Sequence, residues 1–187
     1  MLKLNAEELR TTDPTPDQIA RVKRRPIYII LDNVLDTYNI GSIFRLADAV
    51  GAAKVFICGE SLTPPHARIK KASVSTWKWV PWQYASTAVE AIAKIRNQKS
   101  RPEADQPLAE KIKIIAVEQD KRSQRFDQVQ YELPLALVVG NETHGVSKEV
   151  LDMVDTIVEL PMFGVNKSLN VMVSSGIVLY KIIEQLV

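Results

Sequence analysis

The segment that decides the fold is LPMFGVNKSLNVMVSSGIVLYKII, which spans Leu160–Ile183. It begins as the end of an apolar strand and continues as a strongly apolar helix. A plain connection between a strand and a helix needs only one capping residue at the bend. This bend instead carries a dense set of polar and flexible residues, which are Gly164, Asn166, Lys167, Ser168 and Asn170. Their density indicates that the bend has a function of its own.

The helix that follows the bend is apolar on most of its faces, and its small residues Ser174, Ser175 and Gly176 would let another element approach closely. A helix of this kind needs a surface that covers it. We therefore expect a second copy of the chain to pack against it.

Working outward from this segment, short apolar runs alternate with helical patterns along the chain. Strands alternating with helices predict an α/β fold with a mostly parallel sheet flanked by helices. The predicted strands are Pro26–Leu31, Lys54–Cys58, Lys113–Val117, Leu135–Val139 and Thr156–Leu160. The predicted helices cover approximately Ile40–Val50, Ala85–Asn97, Ser147–Val154 and Leu169–Leu186.

The length of 187 residues suits one domain with a sizeable core. We expect an N-terminal extension over residues 1–25 and a single domain over residues 26–187. The polar stretch Asn97–Lys111 contains two prolines and is interpreted as a surface loop of that domain.

Composition and missing motifs exclude several classes of protein. No apolar run reaches the length of about 18 residues that a membrane span needs, and the N-terminus contains acids but no apolar core. The single cysteine, Cys58, fits a reducing compartment, so a cytoplasmic location is expected. With two histidines besides, the chain offers no credible metal site. Neither a P-loop nor a dinucleotide-binding glycine fingerprint is present.

A window without Asp or Glu, Ser61–Val89, is a candidate for binding nucleic acid. It contains all three tryptophans and four Lys or Arg residues, namely Arg68, Lys70, Lys71 and Lys78. Cations interleaved with aromatic rings can pair with phosphates and stack on bases. The alternative is a solvated basic face beside tryptophans that belong to the core, and the residues alone favour this alternative.

Three polar stretches follow predicted strands, at the sheet edge where open α/β folds bind ligands. In the first, Leu31–Ala52, Asn39 is a plausible helix N-cap, and Arg45 lies one turn beyond Gly41. A guanidinium above a bare glycine, beside a capping amide, could hold a phosphate. An exposed arginine that forms a surface pair with Asp48 is the alternative, and this stretch alone favours neither interpretation.

In the second stretch, Leu137–Val150, Gly140 and Gly145 bracket Asn-Glu-Thr-His. Glu142 is expected to be the only carboxylate at this edge, and Ser147 could cap the following helix. His144 is interpreted as a turn residue, because nothing in the sequence partners it. An ordinary turn explains this motif equally well when it is considered alone. The third stretch is the opening segment.

Taken together, NIGSIFRLADAVGA, VVGNETHGVS and LPMFGVNKSLNVMVSSGIVLY resemble, in that order and spacing, the TrmH (SpoU) branch of the SPOUT RNA methyltransferases. The resemblance covers about residues 26–187. It implies a C-terminal deep trefoil knot, S-adenosyl-L-methionine (AdoMet) as cofactor, a homodimer that packs through the last helix, and methylation of a ribose 2′-hydroxyl in tRNA or rRNA. It also raises the basic window to an expected RNA-contact surface.

The resemblance also implies roles for individual residues. Arg45 is expected to act as the base or as a phosphate clamp that stabilises the developing alkoxide. The clamp is the less demanding role, because a guanidinium carries N–H donors and no acceptor. The implied catalytic set is Arg45, Asn39, Glu142, Ser168 and Asn170. The implied cofactor-binding residues, acting largely through backbone, are Gly140, Leu160, Met162 and Leu169.

Two other classes of function compete with this one. The first is a non-catalytic RNA-binding protein that keeps the fold and has lost the reaction, and the presence of all five catalytic-set residues argues against it. The second is an α/β enzyme that acts on a small-molecule hydroxyl, which the basic window disfavours.

Overall fold

The computed structural model describes Glu8, residues 12–97 and residues 112–186. The predicted surface loop lies outside the described residues beyond Asn97, and so do residues 1–7 and 9–11 of the N-terminal extension. Within that extension, helix α1 (Pro16–Ala20) begins with a capping box in which Thr15 and Gln18 each accept the other's backbone N–H.

A seven-stranded sheet forms the centre of the described chain, and every strand pair in it is parallel. Its order is β3-β2-β1-β6-β4-β7-β5. The strands are β1 (Arg25–Asp32), β2 (Ala52–Cys58), β3 (Trp82–Ala85), β4 (Lys113–Val117), β5 (Gln124–Arg125), β6 (Leu135–Gly140) and β7 (Thr156–Glu159). The predicted α/β fold with a mostly parallel sheet is therefore confirmed.

Helices cover both faces of the sheet, which is why the central strands are continuous apolar runs. Helices α2 and α6 contribute to the core on one face, and α4 and α5 contribute to the core on the other. The helices are α2 (Thr37–Val50), α3 (Ala67–Ser73), α4 (Ala88–Asn97), α5 (Lys148–Leu151) and α6 (Val171–Leu186), with a 3₁₀ turn at Thr76–Lys78.

Strand order brings the ends of β1, β6 and β4 together at the carboxyl edge of the sheet. Asp32 lies beside Gly140 in the β1–β6 ladder, and Glu118 follows the last residue of β4. Two chain turns are thereby placed next to each other, the one that leads into α2 and the one that leads into α5. The trefoil knot and the single domain over residues 26–187 stay predictions.

No helix among the described residues is both long and apolar enough to cross a lipid bilayer.

Candidate active site

A cleft of about 420 Å³ opens at the carboxyl edge of the sheet, beyond the ends of β4, β6 and β7. Its walls combine apolar and polar residues of the second and third polar stretches with residues that follow β4. The four residues expected to bind the cofactor, Gly140, Leu160, Met162 and Leu169, all line this cleft, and so do Glu142, Ser168 and Asn170.

Three of the predicted catalytic residues, one from each motif, form a continuous hydrogen-bonded chain. The Asn39 side-chain amide donates to Glu142 Oε1 at 2.9 Å, and Asn39 Oδ1 accepts from Asn170 Nδ2 at 3.0 Å. Asn39 is only 5% exposed, so its amide is held between the other two side chains. The first motif, more than a hundred residues from each of the other two in sequence, therefore meets both of them at one wall of the cleft.

Glu142 fixes the start of α2 to the loop after β6. Its carboxylate accepts the backbone N–H groups of Leu35 and Asp36 as well as the amide of Asn39. Partial burial alone would raise the pKa of Glu142, but the hydrogen bonds from Asn39 and from the two backbone N–H groups outweigh it and lower that pKa. A carboxylate held in this way remains charged and is a weak proton acceptor.

The predicted N-cap of α2 is wrong. The helix begins at Thr37, and its N-cap is Asp36, which accepts the backbone N–H of Tyr38 at 2.7 Å. Asn39 lies inside the first turn, where its side chain is free to reach Glu142. Ser147 does occupy the N-cap position of α5, but its side chain makes no capping hydrogen bond.

Asn170 and Ser168 take different roles at the start of α6. The side-chain oxygen of Asn170 accepts the backbone N–H of Met172 at 2.9 Å and so caps the helix, while its amide group reaches Asn39. Ser168 lies exposed on the cleft wall. Among the described residues its hydroxyl has no hydrogen-bond partner, which leaves it available to a ligand.

Arg45 lies on the exposed side of α2, and no described residue forms an ion pair or hydrogen bond with its guanidinium. The alternative surface pair with Asp48 is not formed, because Asp48 accepts from Trp79 Nε1 at 2.8 Å. The prediction that Gly41 lies uncovered beneath Arg45 is wrong. Gly41 is covered by α3, and a Cβ on Gly41 would lie 2.6 Å from Ala72 Cβ. A phosphate at Arg45 would therefore not rest on Gly41.

The loop between β6 and α5 is termed the glycine loop and consists of Gly140–Val146. Asn141 and Gly145 exchange backbone hydrogen bonds of 3.0 and 2.9 Å across it. Gly145 has φ +70°, and a Cβ on Gly140 would lie 2.1 Å from the Gly145 carbonyl carbon. Gly140 is thus required by close approach of the backbone to itself, and Gly145 by its positive φ and by the Glu118 carboxylate that lies against it.

Glu142 is not the only carboxylate at this edge, contrary to expectation. Asp32 accepts the backbone N–H of Ser147 at 2.8 Å, and Glu118 accepts that of Val146 at 2.8 Å. Asp32 is the last residue of β1, and Glu118 comes directly after β4. Their places at the ends of apolar runs in the sequence could have predicted both carboxylates at this edge.

The predicted RNA-binding residues are all exposed but are not equivalent. Arg68, Lys70 and Lys71 lie on α3. Lys78 lies on the 3₁₀ turn and forms an ion pair of 2.6 Å with Asp13 of the N-terminal extension. The window itself contains no acid, but in the folded chain Asp13, from outside the window, lies against it.

The three tryptophans of the window contribute to the core. Trp79 is buried in the core, and Trp77 and Trp82 pack against that core while partly exposed.

The basic stretch Arg21–Arg25 has a structural role at its end. Arg24 donates to the carbonyls of Ala52 and Trp79, and Arg25 donates to the carbonyl of Val50 at the end of α2. Burial lowers the pKa of Arg24, partly offset by the charge of Asp48.

The small residues of α6 are approached by elements of the same chain, whereas approach by a second copy was expected, and Ser174 lines the cleft. Ser175 is buried, and a Cβ on Gly176 would meet Leu46 of α2 in the same chain at 3.5 Å. The unpartnered face of α6 is instead formed by Val173, Ile177 and Tyr180, which are 39%, 38% and 55% exposed.

Within the described ranges no group of three or more His, Cys, Asp or Glu side chains is arranged to hold a metal ion.

Comparison with known proteins identifies relatives over nearly the whole chain. The chain is 30% identical over 170 residues to the tRNA (guanosine(18)-2′-O)-methyltransferase of Aquifex aeolicus, which covers 88% of this chain and 72% of that protein. It is also 30% identical over 181 residues to the 23S rRNA (guanosine-2′-O-)-methyltransferase of Haemophilus influenzae, covering 96% of this chain and 68% of that one.

The fold is also similar to that of a protein of known structure. The crystal structure of the AdoMet-bound rRNA methyltransferase from Sinorhizobium meliloti matches with a TM-score of 0.74 at 24% identity, over 96% of this chain and 60% of that one. The sequence profile of the SpoU rRNA Methylase family matches residues 26–180. The resemblance carried by the three motifs is thereby confirmed, and the chain belongs to the SpoU rRNA methylase family.

Proposed function

We propose that this chain is an AdoMet-dependent methyltransferase that methylates a ribose 2′-hydroxyl of tRNA or rRNA. The observation that carries the proposal is the Glu142–Asn39–Asn170 chain, which joins all three motifs beside one cleft. The named relatives methylate guanosine 2′-oxygens of tRNA and of 23S rRNA, which supports both RNA classes as substrates and the cytoplasm as the location.

The cleft suits the cofactor in size and in lining. Its volume of about 420 Å³ falls in the range of small-molecule sites, roughly 300–1,000 Å³. Leu160, Met162 and Leu169 supply apolar contacts for a purine, and the backbone of Gly140 supplies polar ones. Glu118 and Glu142 place negative charge in the same walls, which favours a ligand with a cationic sulfonium.

Because bound AdoMet supplies a methyl group on a positively charged sulfur, the chain has only to align the hydroxyl and favour loss of its proton. The hydroxyl proton would pass to solvent. We propose that Arg45 favours this loss, because its guanidinium, without a partner among the described residues, would hold a substrate phosphate and stabilise the developing alkoxide. Glu142, Asn39 and Asn170 act as positioning residues, since their polar atoms are occupied by one another and by helix N-termini. Ser168 would orient the cofactor or Arg45 through its free hydroxyl.

We also propose that the chain works as a homodimer through α6. Val173, Ile177 and Tyr180 recur at i, i+4 and i+7, so they form one apolar stripe along the helix. The opposite face of α6 is already buried in the chain's own core, so the stripe has no partner within the described chain. A second copy, related by a two-fold axis, would bury two such stripes against each other.

Mass mapping of RNA from a strain that lacks the gene tests the proposed function. We expect one 2′-O-methylated nucleotide of tRNA or rRNA to lose its methyl group, and to regain it when the wild-type gene is restored. A full set of ribose methylations in the deletion strain, with RNA binding by the purified chain, would instead favour the non-catalytic RNA-binding protein.

A further inference from the structure

Glu118 is a cleft residue that belongs neither to the catalytic set nor to the positioning residues around Asn39. It follows β4 directly, its backbone N–H donates to the carbonyl of Val158, and it lines the cleft. In the β4–β6 ladder Ala116 pairs with Val138, so Glu118 stands at the level of Gly140, where the glycine loop begins.

The Glu118 carboxylate lies against the backbone of the glycine loop. Oε2 accepts the N–H of Val146 at 2.8 Å, and Oε1 accepts the N–H of Gln119 at 2.8 Å. A Cβ on Gly145 would fall 2.0 Å from Oε2, so the contact exists only because this residue is glycine. One carboxylate therefore ties the end of β4 to the end of the loop.

The glycine loop has a second attachment on its other side. Asn141 Nδ2 donates to the carbonyl of Asn33 at 2.9 Å, and Ser147 donates its N–H to Asp32 at 2.8 Å. Both attachments lead to the end of β1. On the side of β4, the hydrogen bond from Val146 to Glu118 is the one side-chain attachment of the loop in the part of the chain that the structure describes.

Val146 is only 4% exposed, so its N–H is poorly placed to bind water if the carboxylate is removed. A buried N–H without an acceptor is strongly disfavoured, and the loop would shift to find one. Any shift moves Gly140–Thr143, whose atoms line the cleft.

We propose that Glu118 is a positioning residue for AdoMet binding, which holds the glycine loop in the conformation that shapes the cofactor cleft. This inference rests on the proposed function, because it takes the cleft to be the AdoMet site. It assigns Glu118 no contact with the reacting atoms, so its loss weakens cofactor binding and leaves the chemical step intact.

Calorimetric titration of AdoMet into wild type, Glu118→Gln and Glu118→Asp tests the proposal. Gln keeps the size but can accept only one of the two N–H groups, and Asp keeps the charge but is one methylene shorter. Both variants should bind AdoMet about ten- to a hundredfold more weakly. With RNA substrate, KM for AdoMet should rise while kcat at saturating AdoMet stays close to that of wild type.

Glu159→Gln is the matched control, because Glu159 is another carboxylate on the cleft wall and lies outside the glycine loop. Its side chain has no hydrogen bond to the described part of the glycine loop. If Glu118 acts by holding the glycine loop, Glu159→Gln should lose clearly less affinity for AdoMet than Glu118→Gln. Equal losses would overturn the proposal, since they would show that only the charge of the cleft counts.

A second variant, Gly145→Ala, disturbs the same contact from the loop side and serves if Glu118 variants fold poorly. Its Cβ would displace the Glu118 carboxylate, so the same loss of AdoMet affinity is expected. Amide hydrogen exchange at Val146 should be faster than in wild type in both Glu118→Gln and Gly145→Ala.

The outcomes separate the two claims. A wild-type chain that binds no AdoMet overturns the proposed function itself. A wild-type chain that binds AdoMet, together with Glu118→Gln and Gly145→Ala variants of equal affinity, leaves the proposed function standing and overturns the positioning role of Glu118.

Discussion

At the scale of single residues, the Asn39 amide decides how the site is assembled. Its nitrogen donates to Glu142 and its oxygen accepts from Asn170. A substitution at any of these three positions should therefore displace the start of both α2 and α6. The sequence contained the three residues but not their arrangement. Hydrogen bonds between residues more than a hundred positions apart depend on strand order, which periodicity does not specify.

The pH dependence of stability should report on Glu142. Its pKa is lowered in the folded chain from an ordinary value of 4.5, so its hydrogen bonds stabilise the fold above about pH 4.5. That contribution is lost as pH falls through the folded-state pKa. Chemical unfolding of wild type and Glu142→Gln should therefore differ at pH 7 and converge in acid.

The control for this experiment is Glu132→Gln, since the side chain of Glu132 makes no hydrogen bond to a helix N-terminus within the described chain. It should match wild type across the same pH range. A stability difference between wild type and Glu142→Gln that is the same at pH 7 and in strong acid would contradict the assignment.

At the scale of secondary-structure elements, burial decides which strands can be predicted from the sequence. The strands β1, β2, β4, β6 and β7 are predicted because their residues are apolar on both faces. Strand β3 is not predicted because it lies at the sheet edge with mixed exposure, and β5 is not predicted because it is only Gln124–Arg125. Such strands form through pairing with a neighbour and carry no apolar signal of their own.

The helices show the same limit. Helix α3 is not predicted because it has seven residues and no side-chain capping bond, and α5 stops at Leu151 rather than Val154. Helix α3 packs against Gly41 of α2, where the missing side chain lets the two helices approach closely. The sequence of α3 itself contains no pattern that predicts this contact. Contacts at Gly41–Ala72 and Asp48–Trp79 show that the chain of α3 and the 3₁₀ turn runs alongside α2 in the same direction.

Gly41→Ala should test this helix contact. The new Cβ would lie 2.6 Å from Ala72 Cβ and 2.8 Å from the Ile69 carbonyl oxygen, so α3 has to move away from the helix that carries Arg45. We expect the free energy of unfolding to fall by about 1–3 kcal/mol. Methyl transfer should slow as well, because the exposed cations of α3 shift relative to Arg45.

Two comparisons make the Gly41 experiment specific. The substitution should cost less in an Ala72→Gly background, which removes the nearest contact. Gly176→Ala, at 3.5 Å from Leu46, has room for its Cβ and should be neutral or stabilising, since Ala favours helix over Gly by up to about 1 kcal/mol. An equal loss in Gly41→Ala and Gly176→Ala would contradict the close contact.

At the scale of the whole molecule, the two surfaces proposed for partners lie on different elements. The predicted RNA surface comprises Arg68, Lys70 and Lys71 on α3 and Lys78 on the 3₁₀ turn. The proposed dimer surface is the stripe on α6. Neither could be separated from ordinary surface in the sequence, because exposure depends on which face each helix buries.

Salt dependence of RNA binding tests the first surface. Lys70→Ala and Lys71→Ala should each reduce the slope of log K against log salt by about 0.7–0.9. Lys78→Ala should reduce it less, since Asp13 already neutralises that ammonium. Lys94→Ala, which removes a cation paired with Glu90 on α4, serves as the control and should leave the slope unchanged. A slope unchanged in Lys70→Ala and Lys71→Ala would exclude α3 as the RNA surface.

Sedimentation of the purified chain tests the second surface. Wild type should be a dimer at micromolar concentration, and Ile177→Glu should shift it toward monomer, because the charge would be buried in an apolar interface. Leu62→Glu introduces the same charge at a residue of comparable exposure away from α6 and should remain dimeric. A monomeric wild-type chain would contradict the homodimer.

The most direct test of the central claim is transfer of a deuterated methyl group from labelled AdoMet to tRNA and rRNA by the purified chain, followed by digestion to nucleosides and mass spectrometry. We predict label on the ribose 2′-oxygen of a single nucleotide, and a rate lower by about 10²–10³ in Arg45→Ala with AdoMet affinity retained. Label on a base, no label despite AdoMet binding, or an Arg45→Ala variant as fast as wild type would contradict the account.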